Sequence, residues 1–337
     1  MKNPIRRLFG ILTLGLAALC GTVAQAGPYS SMYVFGDSLS DTGNLSILTG
    51  GAQPPAGQPY FNGRFSDGPV WVEHLAAGLG LAGDATASFA GGKNYAIAGA
   101  RTGLVAPAGN PPGVLAQVAG LWAPSHAVAD ANALYVVVGG GNDMRDARAA
   151  FTGNSAADDA GRQAAAQAAV NNLYASLSLL ASRGAKHVLL ANLPDLGQTP
   201  EAMLLGLQYA SSDVSARFSA LMVGLETLAE ATLGLDIDLL DLAGIANSVR
   251  ADAISNGGGV YGITNVSAPC TGFALSALLG GTSCNVSSFS DALHPSARAH
   301  AIFAQEALRL VPEPASALLV LVALGGLVAQ RRRVAVA

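Results

Sequence analysis

Two short stretches near opposite ends of the chain carry groups that could react together. The first is Val34-Phe35-Gly36-Asp37-Ser38-Leu39-Ser40-Asp41-Thr42-Gly43-Asn44, where an apolar run breaks into a turn that presents Ser38. The second is Asp291-Ala292-Leu293-His294-Pro295. A serine hydroxyl is a poor nucleophile at neutral pH and needs a base. His294 is the candidate: it would take the Ser38 proton and later return it to a leaving group. Asp291 stands three residues before it, so a tight turn brings its carboxylate to the imidazole Nδ1, fixing the tautomer and stabilising the imidazolium. Acyl transfer also needs donors aimed at the oxygen that becomes negative. The backbone amides of Ser38 and Gly99 and the side-chain amide of Asn142, each at the end of an apolar run, are suited to that task.

Gly-Asp-Ser-Leu alone is a common tetrapeptide, but FGDSLSDTGN after an apolar strand is much rarer. The extended form resembles the GDSL lipase/esterase family, also called SGNH hydrolases, and the resemblance runs from about Tyr33 to about Leu310. It implies a serine esterase or lipase that passes through an acyl-Ser38 intermediate. Ser38, Asp291 and His294 are then catalytic. Ser38, Gly99 (in Asn-Tyr-Ala-Ile-Ala-Gly-Ala) and Asn142 (in Gly-Gly-Asn-Asp) form the oxyanion hole. Asp37, Asp41, Asn44 and Asp143 flank these positions and are expected to hydrogen-bond the catalytic loops without reacting. The substrate is expected to be an ester of a lipid, a small molecule or a glycan. Two relatives of this reading are an acyltransferase and a polysaccharide O-deacetylase with the same parts. A surface or matrix module with a decayed site is a third, although no catalytic position is missing. No cluster has metal-ligand spacing and no phosphate loop appears, so neither metal nor cofactor is expected. His74, His126, His187 and His300 sit in helices, loops or strand starts and are expected to be structural or exposed.

Positioning these groups requires a sheet. Apolar runs at 32–35, 93–98, 133–138, 186–191 and 236–240 read as strands, and helical stretches at 70–79, 156–183, 200–233 and 295–310 lie between and after them. Alternating strands and helices imply right-handed parallel crossovers. The expected fold is an α/β three-layer α/β/α sandwich with a five-stranded parallel sheet, flavodoxin-like, as the SGNH resemblance also implies. Residues 50–68 form a long Gly/Pro/Asn-rich loop, and 244–290 read as an irregular insert. Gly78-Leu79-Gly80-Leu81-Ala82-Gly83 matches a dinucleotide fingerprint in letters only, because it ends a helix and does not follow a strand.

The two ends speak for export. Residues 1–26 have a basic start, an apolar core from Leu8 to Cys20 and an Ala24-Gln25-Ala26 cleavage site, the pattern of a signal peptide. Val311-Pro312-Glu313-Pro314 leads to an apolar segment, 315–329, and then Arg331-Arg332-Arg333. Fifteen apolar residues are marginal for a spanning helix. This tail (311–337) resembles the PEP-CTERM sorting signal of Gram-negative bacteria. It implies transient membrane anchoring through 315–329, signal peptidase and an exosortase as processing partners, and a destination at the cell surface, outer membrane or extracellular matrix. Residues 27–310 remain as the hydrolase domain. The leader carries three positive charges, and 312–337 carry three positive and one negative, so removing both lowers the net charge from −4 to about −9. No basic patch points to nucleic acid. Cys270 and Cys284 remain, and an oxidising compartment permits one pairing; free thiols or a metal pair are the alternatives.

Overall fold

The computed structural model describes residues 29–104 and 109–311. The leader and the tail from residue 312 lie outside them. Among the described residues no helix is long and apolar enough to cross a membrane.

Four strands form a parallel sheet in chain order: β1 (Met32–Phe35), β2 (Leu134–Val138), β3 (His187–Ala191) and β4 (Asp236–Leu240). Register starts at Met32 opposite Leu134, Leu134 opposite His187, and His187 opposite Asp236. β1 and β2 are apolar throughout and buried at every position, as strands covered on both faces must be. Alternate side chains go to opposite faces. Tyr33, Phe35, Tyr135, Val137, Val188 and Leu190 meet helices α3 (Gly141–Ala150), α4 (Ala156–Ser182) and α6 (Gln208–Leu233). Met32, Val34, Val136, Val138 and Leu189 meet α2 (Trp71–Gly78) and the closing helix α8 (Ala297–Leu310). The result is the expected three-layer α/β/α arrangement. A short helix α1 (Asn44–Leu48) follows the Ser38 turn.

Three expectations change. The sheet has four strands, not five. Residues 93–98 do run along β1, through Val34 N–H to Lys93 O, Tyr95 N–H to Val34 O and Ile97 N–H to Gly36 O. Yet the segment carries only isolated bridges, at Asn94. On its outer side Asn94 N–H donates to Thr86 O, Asn94 O accepts from Ser88 N–H, and the Asn44 side chain donates to Asn94 O and Ala96 O, so no continuous ladder forms. The helix expected over 200–233 is two, α5 (Pro200–Leu205) and α6, parted at Gly206, whose φ of 67° suits glycine. The insert is not irregular at its start. Asp241 caps α7 (Leu242–Asn256) by accepting from Gly244 N–H, and only then comes a lobe with a two-stranded parallel ribbon, β5 (Asn265–Pro269) and β6 (Ser287–Phe289). Cys270 and Cys284 are bonded to each other within this lobe.

His300 on α8 is fully buried and accepts the Trp71 N–H at Nδ1, so it must be neutral. Burial pushes its pKa down to about 3, with the charges of His294 and His74 adding to the effect. The unfolded chain binds a proton at this position from about pH 6.5 downward while the folded chain does not, so stability is lost as pH falls through that window. His300→Gln keeps an acceptor for Trp71, and its urea midpoint should depend less on pH between about 6 and 4 than that of the wild type. The double substitution Cys270→Ser, Cys284→Ser opens a loop whose ends are 14 residues apart. It should cost about 3 kcal/mol in urea unfolding.

Candidate active site

The chain leaves β1 at Gly36, and the turn is held by a side chain far away in sequence. Gln117 Oε1 accepts the Gly36 N–H and its Nε2 donates to Gly36 O, both at 2.8 Å. A Cβ at Gly36 would lie 2.8 Å from Val138 O, so glycine lets β1 and β2 end side by side. The turn then presents Ser38, which is half-buried.

Ser38 Oγ lies 2.9 Å from His294 Nε2, and His294 Nδ1 lies 2.7 Å from Asp291 Oδ2. Asp291 Oδ1 accepts the backbone N–H of Leu293 (2.8 Å) and of His294 (2.7 Å), which closes the tight turn. Pro295 and Ser296 follow, and Ser296 caps α8 by accepting from Ala299 N–H. The structure thus brings Ser38, Asp291 and His294 into one line of hydrogen bonds. Burial alone would raise the Asp291 carboxyl. The His294 charge and hydrogen bonds from His294 and Tyr60 outweigh it and hold the group well below the usual carboxylate range.

Gly99 and Asn142 come to the same edge. Gly99 has φ 86°, a value that favours glycine. Asn142, in the first turn of α3, donates from Nδ2 to Ala100 O at 2.9 Å, which ties it to the loop that carries Gly99. Neither the Ser38 nor the Gly99 backbone N–H meets an acceptor among the described residues. Both are left free to donate to a substrate oxygen.

The flanking residues stitch these loops. Asp41 accepts from Gly43 and Asn44 N–H on one oxygen and from Leu45 and Ala98 N–H on the other, which joins the Ser38 loop to the segment before Gly99. Asn44 donates to Asn94 O and Ala96 O, and Asn94 donates back to Ser40 O. Asp143 accepts from Thr102 N–H and Oγ1, fixing the far end of the Gly99 loop to α3. Asp37 accepts the Leu39 N–H at 3.0 Å. Burial pushes its carboxyl up to about 6, against the Leu39 hydrogen bond and the His294 charge.

Tyr60 was not singled out by the sequence. Its hydroxyl donates to Asp291 Oδ2 at 2.7 Å, the oxygen that also faces His294. Its ring packs on Phe65 and on Phe273 of the disulfide-closed lobe, and Phe65 in turn lies 5.0 Å from the His294 ring. The available signal was its place in the long loop 50–68, just ahead of Arg64-Phe65-Ser66-Asp67-Gly68. The remaining histidines lie elsewhere: His126 bonds Trp122 O, and His187 pairs with Asp236.

A family model described as GDSL-like lipase/acylhydrolase matches residues 32–307. The chain belongs to this family. The Ser38 turn, Gly99, Asn142 and the Asp291–His294 turn all fall inside the matched span. A phosphatidylcholine-sterol acyltransferase of Aeromonas hydrophila is 33% identical over 235 residues, covering 64% of this chain and 60% of that protein. Esterase EstA of Pseudomonas aeruginosa is 30% identical over 269 residues, covering 69% of this chain and 39% of that protein. The chain therefore spans less than two thirds of the length of these relatives. Among solved structures, a carbohydrate acetylesterase from Sinorhizobium meliloti superposes with a TM-score of 0.44 at 16% identity, over 82% of this chain and 95% of that one.

Tyr60→Phe removes one donor from Asp291 without touching Ser38 or His294. The expected result is a fall in kcat of about three- to tenfold with KM near the wild-type value, measured on a p-nitrophenyl ester. An equal rise in KM with kcat unchanged would place Tyr60 in substrate binding instead.

Proposed function

We propose that this protein is an exported serine esterase that hydrolyses carboxylic esters through an acyl-Ser38 intermediate. The observation that carries the reading is the continuous line from Ser38 Oγ through His294 to Asp291, at 2.9 and 2.7 Å. Asp291 accepts from Nδ1–H, which leaves Nε2 as an acceptor for the Ser38 proton. Ser38 Oγ bonds to the ester carbon as its proton passes to Nε2. The carbonyl oxygen of the ester takes the electron pair of the broken π bond and becomes negative opposite the Ser38 and Gly99 N–H groups and Asn142 Nδ2, in a site already organised for that charge. Collapse breaks the bond to the alcohol oxygen, which leaves with the proton held on Nε2. Water then attacks the acyl-enzyme with His294 again as base, and Ser38 recovers its proton.

The second half-reaction accepts any hydroxyl that reaches the acyl-enzyme. The similarity to a protein named phosphatidylcholine-sterol acyltransferase supports a second reading, in which an alcohol competes with water. A polysaccharide O-deacetylase would use the same parts. Export is supported by the leader pattern of residues 1–26 and by the Cys270–Cys284 bond, which suits an oxidising compartment. The Pro-Glu-Pro tail supports a passage through the membrane with signal peptidase and an exosortase as processing enzymes, ending at the outer surface of a Gram-negative cell.

Ser38→Ala should lower turnover of p-nitrophenyl butyrate by at least about a thousandfold at unchanged circular dichroism, and should abolish labelling by a fluorophosphonate. Undiminished turnover would refute the acyl-Ser38 route. Adding 1-butanol to the wild-type reaction separates the two readings: a butyl ester product marks acyl transfer, and free acid alone marks hydrolysis.

A further inference from the structure

A cavity of about 100 Å³ opens beside the nucleophile, with Ser38 and His294 in its wall. It extends away from Gly99, which takes no part in its lining, past Gly141 and Leu193 at the ends of β2 and β3 to Ala246 and Val249 on α7. Leu193, Leu196, Val249, Val266, Phe289 and Leu293 make the wall largely apolar. The charged side chains along it are engaged: Arg145 pairs with Glu201, Asp195 accepts from Gly197 N–H and Ser212, and Arg250 donates to Val266 O.

Size selects among occupants. Pockets for drug-sized ligands run to about 300–1,000 Å³, and an apolar cavity of about 150 Å³ admits a benzene ring. The present cavity is smaller than either. Its volume is far below that of a sterol, and its apolar wall suits an unbranched aliphatic chain better than a hydroxyl-rich sugar ring. Chemistry selects between the two arms of an ester. The acyl arm stays bonded to Ser38 through the second half-reaction, whereas the position vacated by the alcohol must admit water or another hydroxyl. A small, largely apolar cavity suits the arm that stays.

We propose that this cavity receives the acyl chain of the substrate, that the chain is a short to medium unbranched aliphatic one, and that Ala246 and Val249 on α7 set its length. The inference rests on the esterase reading and adds the substrate class. Acetyl groups leave most of the channel empty, and long chains such as palmitoyl overrun it. Each methylene taken out of water is worth about fourfold in binding.

The test is a panel of p-nitrophenyl acetate, butyrate, hexanoate and palmitate with the full-length protein, its Val249→Trp variant and its Ala246→Leu variant. In the wild type, kcat/KM should rise at least about tenfold from acetate to hexanoate and fall again at palmitate. Each variant should lose at least about tenfold on hexanoate and stay within about twofold on acetate. Equal losses on acetate and hexanoate, or none on either, overturn the inference while leaving the esterase reading intact. Turnover of no ester by the wild type overturns both. Val249 is buried and Trp is far larger, so one measurement uses the unaltered protein. p-Nitrophenyl hexylphosphonate should label Ser38 at least about tenfold faster than the methylphosphonate, and equal rates overturn the inference.

Discussion

A buried carboxylate has to be surrounded by donors or it will not stay ionised, and the Asp291 side chain is the point where this requirement shapes the molecule. It takes four hydrogen bonds: Leu293 N–H and His294 N–H on one oxygen, His294 Nδ1 and the Tyr60 hydroxyl on the other. Charge-assisted bonds of this kind offset the cost of removing the charge from water. Two of the donors are local and are supplied by the turn itself. The Tyr60 donor comes from a loop 231 residues earlier. One of the four donors therefore depends on how loop 50–68 packs, and Tyr60 in that loop packs in turn on Phe273 in the disulfide-closed lobe.

The same logic holds the serine side of the site. The loops carrying Ser38 and Gly99 have few regular hydrogen bonds of their own. Asp41, Asn44 and Asn94 satisfy their backbone groups with side-chain oxygens and amides, all of them buried. Gln117 does so for Gly36 in both directions. A half-satisfied buried network is costly, whereas a complete one is rigid. In the proposed reaction, rigidity serves Ser38 and Gly99, whose free N–H groups would have to point at the forming negative charge before it appears.

How much of this was legible in the sequence follows from which interactions are local. β1 and β2 could be read because burial on both faces demands continuous apolar residues, and a run such as Leu134–Val138 has no other use. Asp291 and His294 could be read because one turn joins them. Residues 93–98 read as a strand because the run is largely apolar and ends in glycine. Its outer neighbours are the Asn44 side chain, 50 and 52 residues away from the carbonyls it binds, and the backbone at 86–88. Tyr60 and Gln117 were missed for the same reason: each acts through a partner that only the fold supplies. Helix α7 had a local signal, the Asp241 cap, but the polar residues that follow blurred its apolar face. The leader and the Pro-Glu-Pro tail were read from composition and order alone.

Placing α7 also explains how one fold edge can serve two demands that conflict. An oxyanion site needs polar donors and order, whereas an acyl chain needs an apolar surface free of unpaired polar groups. Parallel strands in chain order bring all four carboxyl ends to one edge, so the two demands can be met side by side. The Gly99 loop, packed along the outer side of β1, brings its donor from one flank. The opposite flank, past β2 and β3, is roofed by α7 and the β5–β6 lobe, whose apolar side chains face the cavity. Ser38 stands between them because it ends the strand that separates the two. An insertion after β4 can then change the pocket without disturbing the Ser38–His294–Asp291 hydrogen bonds, which run between residues outside α7.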